Sequence, residues 1–224
     1  MVASRDAASR ARTASFETTY GALPIRSIRG QDGPAVSTIL QTDRLVLVPI
    51  TIATIEAIFA GRRDLAEAAV GAPLPEAWPG RALVERAFRA DLDAIRADPT
   101  FRLWGDRVMI TRQGPKRVVG SVVFHGGPDG DGIVEVGYGV ERDSQRQGFA
   151  TEATRAAVEW ACGQPGVRRI RATTPSWHVA SRKVLERCGL ELVGQHEHDV
   201  LGELLDFERK VAATAMLAGV ASPP

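Results

Sequence analysis

Before residue 42 the chain keeps no sustained apolar period. Gly, Pro, Ser and Arg are scattered through it, which predicts a mobile leader over residues 1–41 with a short ordered piece around Leu23 to Ile28. The first strong signal is Arg44-Leu45-Val46-Leu47-Val48-Pro49, a strand by its β-branched content, ended by proline. Thr51 is placed to cap a helix running past Ile55 and Ile58. Helical spacing returns around Asp64 to Val70 and Arg81 to Ala97; in the latter Leu83, Ala87, Phe88, Leu92 and Ile95 share a face, and Asp98-Pro99 stops the run. Beyond Phe101 the period changes. Leu103 to Thr111, Val118 to Phe124 and Ile133 to Val140 read as three antiparallel strands, joined by the turn-rich Gln113-Gly114-Pro115 and Gly126 to Gly132. A helix from Phe149 to Ala161 comes next, its buried stripe being Ala150, Ala153, Ala157, Trp160 and Ala161. Strand Arg168 to Thr174, helix Val179 to Cys188, and strands Leu190 to Gln195 and Leu204 to Val211 complete the pattern, with Gly189 as the left-handed residue that ends the helix. This order predicts one α/β domain over residues 42–211, a mixed sheet with helices on its faces, and a tail over residues 212–224.

The bulk composition narrows the functions. A chain of 224 residues, 44% hydrophobic and 25% charged, supports one full-sized core and falls short of two. A formal net charge of +1 gives no overall pull toward nucleic acid or an anionic membrane, so any anion site must be a local arrangement. The Arg-containing leader has no dense basic run with interleaved aromatics, and no nucleic-acid partner is expected. No charge-free stretch reaches the length of a membrane span, and the first residues lack an apolar h-region; a cytoplasmic protein is expected. Cys162 and Cys188 stand in no metal or CxxC spacing and read as reduced thiols packed near helix ends. His196 and His198 fall on one face of a strand, but no third ligand is evident; they read as a solvated strand end, and no metal is expected.

Candidate chemistry concentrates after residue 133. Gly137 and Gly139 inside a strand mark a bulge or a close approach, and a strand opened there exposes amides without a partner. The chain then passes through a polar turn, Gln145-Arg146-Gln147, into a helix at Gly148-Phe149-Ala150-Thr151. The unpaired N–H groups and positive dipole end of that first turn suit phosphate oxygens. Gly148 removes the side chain where the backbone meets the anion, Ala150 stays small, and Arg142 and Arg146 add positive charge. The turn is neither a GxxxxGK[ST] loop nor a GxGxxG dinucleotide fingerprint.

These residues resemble the GNAT acetyltransferase superfamily. Gln145-x-x-Gly148-x-Ala150 is similar to its Q/R-x-x-G-x-G/A coenzyme A signature. Three further stretches resemble the branch that acts on ribosomal-protein N-termini and small amines. They are Glu135-Val136-Gly137-Tyr138 with Gly148-Phe149-Ala150-Thr151-Glu152-Ala153, the opening Thr42-Asp43-Arg44-Leu45-Val46-Leu47, and Ala180-Ser181-Arg182-Lys183-Val184-Leu185-Glu186-Arg187-Cys188-Gly189-Leu190. The resemblance spans about Thr42 to Lys210. It implies a mostly antiparallel central sheet of about seven strands flanked by helices and splayed between the fourth and fifth, with acetyl-coenzyme A as cosubstrate. It also implies an acceptor that is a small-molecule amine or a peptide N-terminus, in a monomer or homodimer. The Val140 amide is implied to hold the acetyl carbonyl and the Gln147 to Thr151 amides the pyrophosphate. Ser181 is implied as the proton donor to the departing thiolate, with a helix-capping hydroxyl as its other role. Glu135, sharing the face of Gly137, is a candidate to deprotonate the amine, directly or through water, with His125 as the alternative. His178 stands where the family carries an Asn that contacts the pantetheine arm. A non-catalytic acyl-coenzyme A sensor of the same fold is the competing function. Trp78, Phe88, Phe101 and Trp104 are core candidates near the acceptor pocket, Trp78 being the best placed for substrate contact.

Overall fold

The computed structural model describes residues 26–28, 38–76 and 92–212. Strands β1 (Arg26–Ile28), β2 (Ile39–Gln41) and β3 (Leu45–Pro49) lead into helices α1 (Ile52–Phe59), α2 (Arg63–Val70), α3 (Leu92–Ala97) and α4 (Pro99–Arg102). Strands β4 (Arg107–Thr111), β5 (Val118–Phe124) and β6 (Ile133–Val140) come next, then a 3-10 turn (Arg142–Ser144) and helix α5 (Phe149–Cys162). Strand β7 (Arg169–Pro175), helix α6 (Val179–Arg187), and strands β8 (Glu191–His198) and β9 (Gly202–Lys210) close the chain.

Among the described residues these nine strands form one sheet, ordered β1-β2-β3-β4-β5-β6-β7-β9-β8, antiparallel throughout except where β6 runs parallel to β7. The family resemblance implies about seven. The two extra strands lie before Thr42, β1 within the short ordered piece expected around Leu23 to Ile28, and they add to the sheet in series, β2 pairing with β3 and β1 with β2. The sheet therefore reaches into the segment expected to be a leader.

Caps set the local boundaries. The Thr51 hydroxyl accepts the Thr54 N–H at 3.3 Å, as its position predicts. Asp98-Pro99, expected to stop a helix, begins the next one: the Asp98 carboxylate accepts the Phe101 N–H at 3.1 Å, with Pro99 at the first helical position. The expected strand from Leu103 consequently starts only at Arg107. Between them Gly105 turns at φ +76°, where a Cβ would lie 2.5 Å from Phe124 and 2.8 Å from Trp160. Most of the expected 81–97 helix, with Trp78 and Phe88, lies outside the described residues. Trp104 belongs to the core, 5.0 Å from Phe124 and 4.9 Å from Trp160 between ring centroids, whereas Phe101 is exposed.

The core is split by the sheet. On one face α5 and α6 pack Ala153, Ala157, Trp160, Val184 and Leu185 against Val134, Val136, Ile170, Ala172, Leu205 and Phe207. On the other, α1 and α2 bring Ile55, Ala66 and Val70 to Val108, Ile110 and Val118. Burying a Leu, Ile or Val side chain contributes about 1.5–3 kcal/mol, so both layers are needed to offset ordering the chain.

Three irregularities interrupt the sheet, the first a register shift of β4 against β5 between Met109 and Ile110. β6 and β7 pair only at Ile133–Arg169, Val134–Ile170 and Glu135–Arg171, then part, leaving a wedge between the halves of the sheet. The expected splay is thus present. In β8, Leu192 pairs with Phe207 but Gly194 with Asp206, so Val193 is an extra residue that forms a β-bulge.

Candidate active site

The turn before α5 is built by backbone shape. Arg146 takes a left-handed φ of +57° and Gly148 one of +78°, and no side chain caps the helix. The first intrahelical bond is Glu152 N–H to Gly148 O at 3.1 Å, so the Phe149, Ala150 and Thr151 amides precede any intrahelical acceptor. A left-handed residue leading into a helix start points successive N–H groups into one concavity, which attracts an anion. Arg142 and Arg146 flank it, while Phe149, Ala150 and Thr151 have buried side chains, so the backbone alone faces outward.

Long-range bonds hold this turn. The buried Glu152 carboxylate accepts the Thr42 hydroxyl at 2.6 Å and the Arg44 N–H at 2.7 Å on one oxygen, and Arg44 Nε at 2.7 Å and Nη2 at 2.6 Å on the other. Arg44 Nη1 then donates to the Gln147 carbonyl at 2.8 Å. Gln145 donates its side-chain amide to Val140 O at 3.2 Å, tying the turn to the end of β6. In the sequence Thr42, Arg44 and Glu152 stand only as parts of separate motifs; the structure makes them one anchor.

At the wedge, strand alternation sorts the groups. Glu141 N–H bonds Val119 O and His125 N–H bonds Glu135 O, so odd-numbered β6 residues turn their backbone polar groups toward β5. The Val140 N–H consequently faces the wedge. Even-numbered side chains face α5 and α6. There the Tyr138 and Ser181 hydroxyls lie 2.9 Å apart, Ser181 being 3% exposed. Burial pushes the Tyr138 phenol well above its ordinary range, so it remains a donor. Nothing in the sequence singles out Tyr138 beyond its place in a motif, because 43 residues separate it from Ser181.

Ser181 does not cap α6 with its hydroxyl. His178 does so, Nδ1 accepting the Ser181 N–H at 3.3 Å. That bond puts the neutral ring's hydrogen on Nε2, which is buried and finds no partner among the described residues. Trp177 stacks on the imidazole with centroids 5.6 Å apart.

The wedge opens into a cleft of about 570 Å³ that also touches the sheet's far face. Glu135 lines it beside Arg171, and His125 stands over β6, where a Cβ on Gly137 would come within 3.4 Å of its Nε2. His196 and His198 line it too, with Asp206. Both sit on an exposed strand end, as expected, His196 being 51% exposed, and there His196 Nδ1 lies 2.9 Å from Asp206 Oδ2. No cluster of three potential metal ligands occurs among the described residues.

A family model described as an acetyltransferase (GNAT) domain matches residues 44–191. The chain belongs to the GNAT acetyltransferase family. Two uncharacterised N-acetyltransferases of Bacillus subtilis (strain 168) are similar to it: YjdG, 29% identical over 157 residues, covering 69% of this chain and 90% of that one, and YoaA, also 29% identical over 157 residues, covering 70% and 84%. The fold is similar to that of a ribosomal-protein-S5-alanine acetyltransferase from Vibrio fischeri, with a TM-score of 0.55, 15% identity, and coverage of 78% of this chain and 97% of that one. It is also similar to RimL, a ribosomal L7/L12 alpha-N-protein acetyltransferase in complex with coenzyme A, with a TM-score of 0.54, 14% identity, and coverage of 77% and 98%. The protein is an acetyltransferase with the α/β GNAT fold, and its splayed strands are where this GNAT chain gathers the turn, the hydroxyl pair and the far-face carboxylates. Cys162 and Cys188 stand apart as free thiols in or beside the core; burial pushes the Cys188 thiol up to about 12. No helix of the described residues is long and apolar enough to cross a membrane.

Proposed function

We propose that this GNAT protein is an acetyl-coenzyme A-dependent N-acetyltransferase that moves the acetyl group directly to a primary amine, on a small molecule or a peptide N-terminus. The observation that carries the reading is an uncapped helix start, entered through left-handed Gly148, next to a wedge that holds the Val140 amide and the Ser181 hydroxyl. The residues fit the cosubstrate. The Gln147 to Thr151 amides offer donors to the pyrophosphate, Arg142 and Arg146 supply positive charge, and the orphaned His178 Nε2–H is a donor for the pantetheine arm at the place where the family resemblance implies an Asn. When bound, acetyl-coenzyme A supplies the activated acyl group.

The chain's own groups then have separate tasks. The Val140 N–H donates to the acetyl oxygen as charge develops there; a preorganised donor of this kind is worth about 3–4 kcal/mol in barrier. Ser181, held by Tyr138 O–H, gives the departing thiolate its proton. Glu135 meets the incoming ammonium on the opposite face of β6. Cofactor-side and amine-side chemistry are thereby kept on the two faces of one strand.

The test is thiol release from acetyl-coenzyme A that depends on an added amine, across a diverse amine and peptide panel. Gly148→Asp should abolish coenzyme A binding, because it adds a negative charge at φ +78° with its Cβ only 3.3 Å from Arg44 Nη2. Undiminished affinity in that variant removes the turn from the site. Tight binding with no release against the whole panel identifies a sensor instead of an enzyme.

A further inference from the structure

Deepening the reading of an amine acceptor, we propose that His196, held by Asp206, is the base that takes the proton from the acceptor ammonium. Three independent features of the far face point to it. The first is the bulge. Before Val193, β8 pairs Leu192 with Phe207, whose side chain lies in the helix-side core; after it, Gly194 pairs with Asp206 and His196 with Leu204. One inserted residue reverses the parity of the strand. Were Val193 paired as a regular ladder residue, His196 and His198 would point to the helix side; with Val193 bulged, both line the cleft.

The second feature is the dyad itself. Asp206 accepts from Thr173 Oγ1 at 3.1 Å on one oxygen and faces His196 Nδ1 at 2.9 Å with the other. A carboxylate at Nδ1 keeps the hydrogen there and leaves the Nε2 lone pair free. His198 is set the opposite way, its Nδ1 accepting the Val200 and Leu201 N–H groups at 3.2 and 3.3 Å, so its neutral ring carries hydrogen on Nε2. Of the two cleft imidazoles on β8, only His196 offers a lone pair.

The third is the surrounding charge. The titratable and charged groups facing this part of the cleft are Asp206 from β9, Arg171 from β7, Glu135 from β6, His125 just after β5, and His198 on β8 itself. Arg171, bonded to Glu208 at 2.7 Å, stands opposite Glu135 in the register, so Glu135 lies near a positive charge that favours a standing carboxylate and suits a counter-ion role. An imidazole that presents a free ring lone pair is the better match for a base.

Protons balance. The ammonium gives one to His196 Nε2, forming an imidazolium beside Asp206 that later releases it to water. The neutral amine forms the C–N bond as the C–S bond breaks. The second proton lost by nitrogen is matched by the one the thiolate gains through Ser181.

The experiment uses the full chain. Long-range ¹⁵N–¹H correlation of the four imidazoles at pH 8, assigned with His196→Gln, should show His196 as the Nδ1–H tautomer, and Asp206→Asn should change it. An Nε2–H tautomer overturns the proposal. Thiol release is then monitored with ethylamine, protonated at neutral pH, and with hydroxylamine, largely neutral there. His196→Gln should lower kcat/KM for ethylamine about 100-fold, leave hydroxylamine within about threefold, and leave coenzyme A affinity unchanged. An equal loss with both acceptors, release from hydroxylamine alone in the wild type, or a larger ethylamine-specific loss in Glu135→Gln overturns the dyad while acetyl transfer stands. A wild type that binds no coenzyme A, or releases no thiol with either acceptor, overturns the reading beneath it.

Discussion

Glu152→Gln tests whether the anchor beneath the turn positions the cofactor site. Glu152 is buried in the first turn of α5 and takes four donors, two of them from the Arg44 guanidinium at 2.6 and 2.7 Å. The amide variant keeps an oxygen for the Thr42 hydroxyl and Arg44 N–H but presents NH₂ to the guanidinium, losing both ionic bonds. At about 1.5 kcal/mol each the loss is about 3 kcal/mol. Arg44 is 39% exposed, so water recovers part of this and about 2 kcal/mol is expected. For a chain of this size that lowers Tm by about 4–8 °C. The released guanidinium also loosens its hold on the Gln147 carbonyl, so coenzyme A should bind about tenfold more weakly, a change of about 1.4 kcal/mol. Urea denaturation and isothermal titration with coenzyme A read the two effects separately. Arg44→Lys should reproduce the weaker binding, because one ammonium cannot serve Glu152 and Gln147 together. A Glu152→Gln protein within about 0.5 kcal/mol of wild type and with unchanged affinity refutes the reasoning.

Two further perturbations probe the sheet around the site. At Gly120 a Cβ would lie 2.1 Å from the Gly139 carbonyl and 3.0 Å from Val140 Cα, so Gly120→Ala must push β6 away and should cost above about 3 kcal/mol in denaturation; a cost under about 1 kcal/mol would show the crossing to be loose. Burial, opposed by the Phe124 N–H bond and by Arg107, holds the Asp106 carboxyl well above the ordinary carboxylate range. The folded state therefore binds the Asp106 proton more tightly than the unfolded one, and this contribution to stability falls as pH rises from about 4 through the raised value. Asp106→Asn keeps an oxygen for the Phe124 N–H, now accepted at 2.6 Å, and should gain stability over wild type as pH goes from 4 to 8. A difference independent of pH, measured by urea denaturation at each pH, would contradict that account.

The features visible in the residues alone are those that local geometry decides. Thr51 caps α1 because a hydroxyl at that place can reach its own first turn, and Gly189 is left-handed at the end of α6 because glycine enters that conformation at little cost. The Gly137-Tyr138-Gly139 strand, the Gly148-Phe149-Ala150 turn and the Ser181 helix are likewise legible, since alternation and helical period are short-range properties. Tertiary structure decides which of these residues meet. Thr42 reaches Glu152 across 110 residues, Tyr138 reaches Ser181 across 43, and neither pairing leaves a local signature. The placement of His196 is hidden for a different reason: its face depends on the register of β8 against β9, and one bulged residue at Val193 reverses it. Strand alternation tells which side chains share a face; only the pairing across strands tells which face that is.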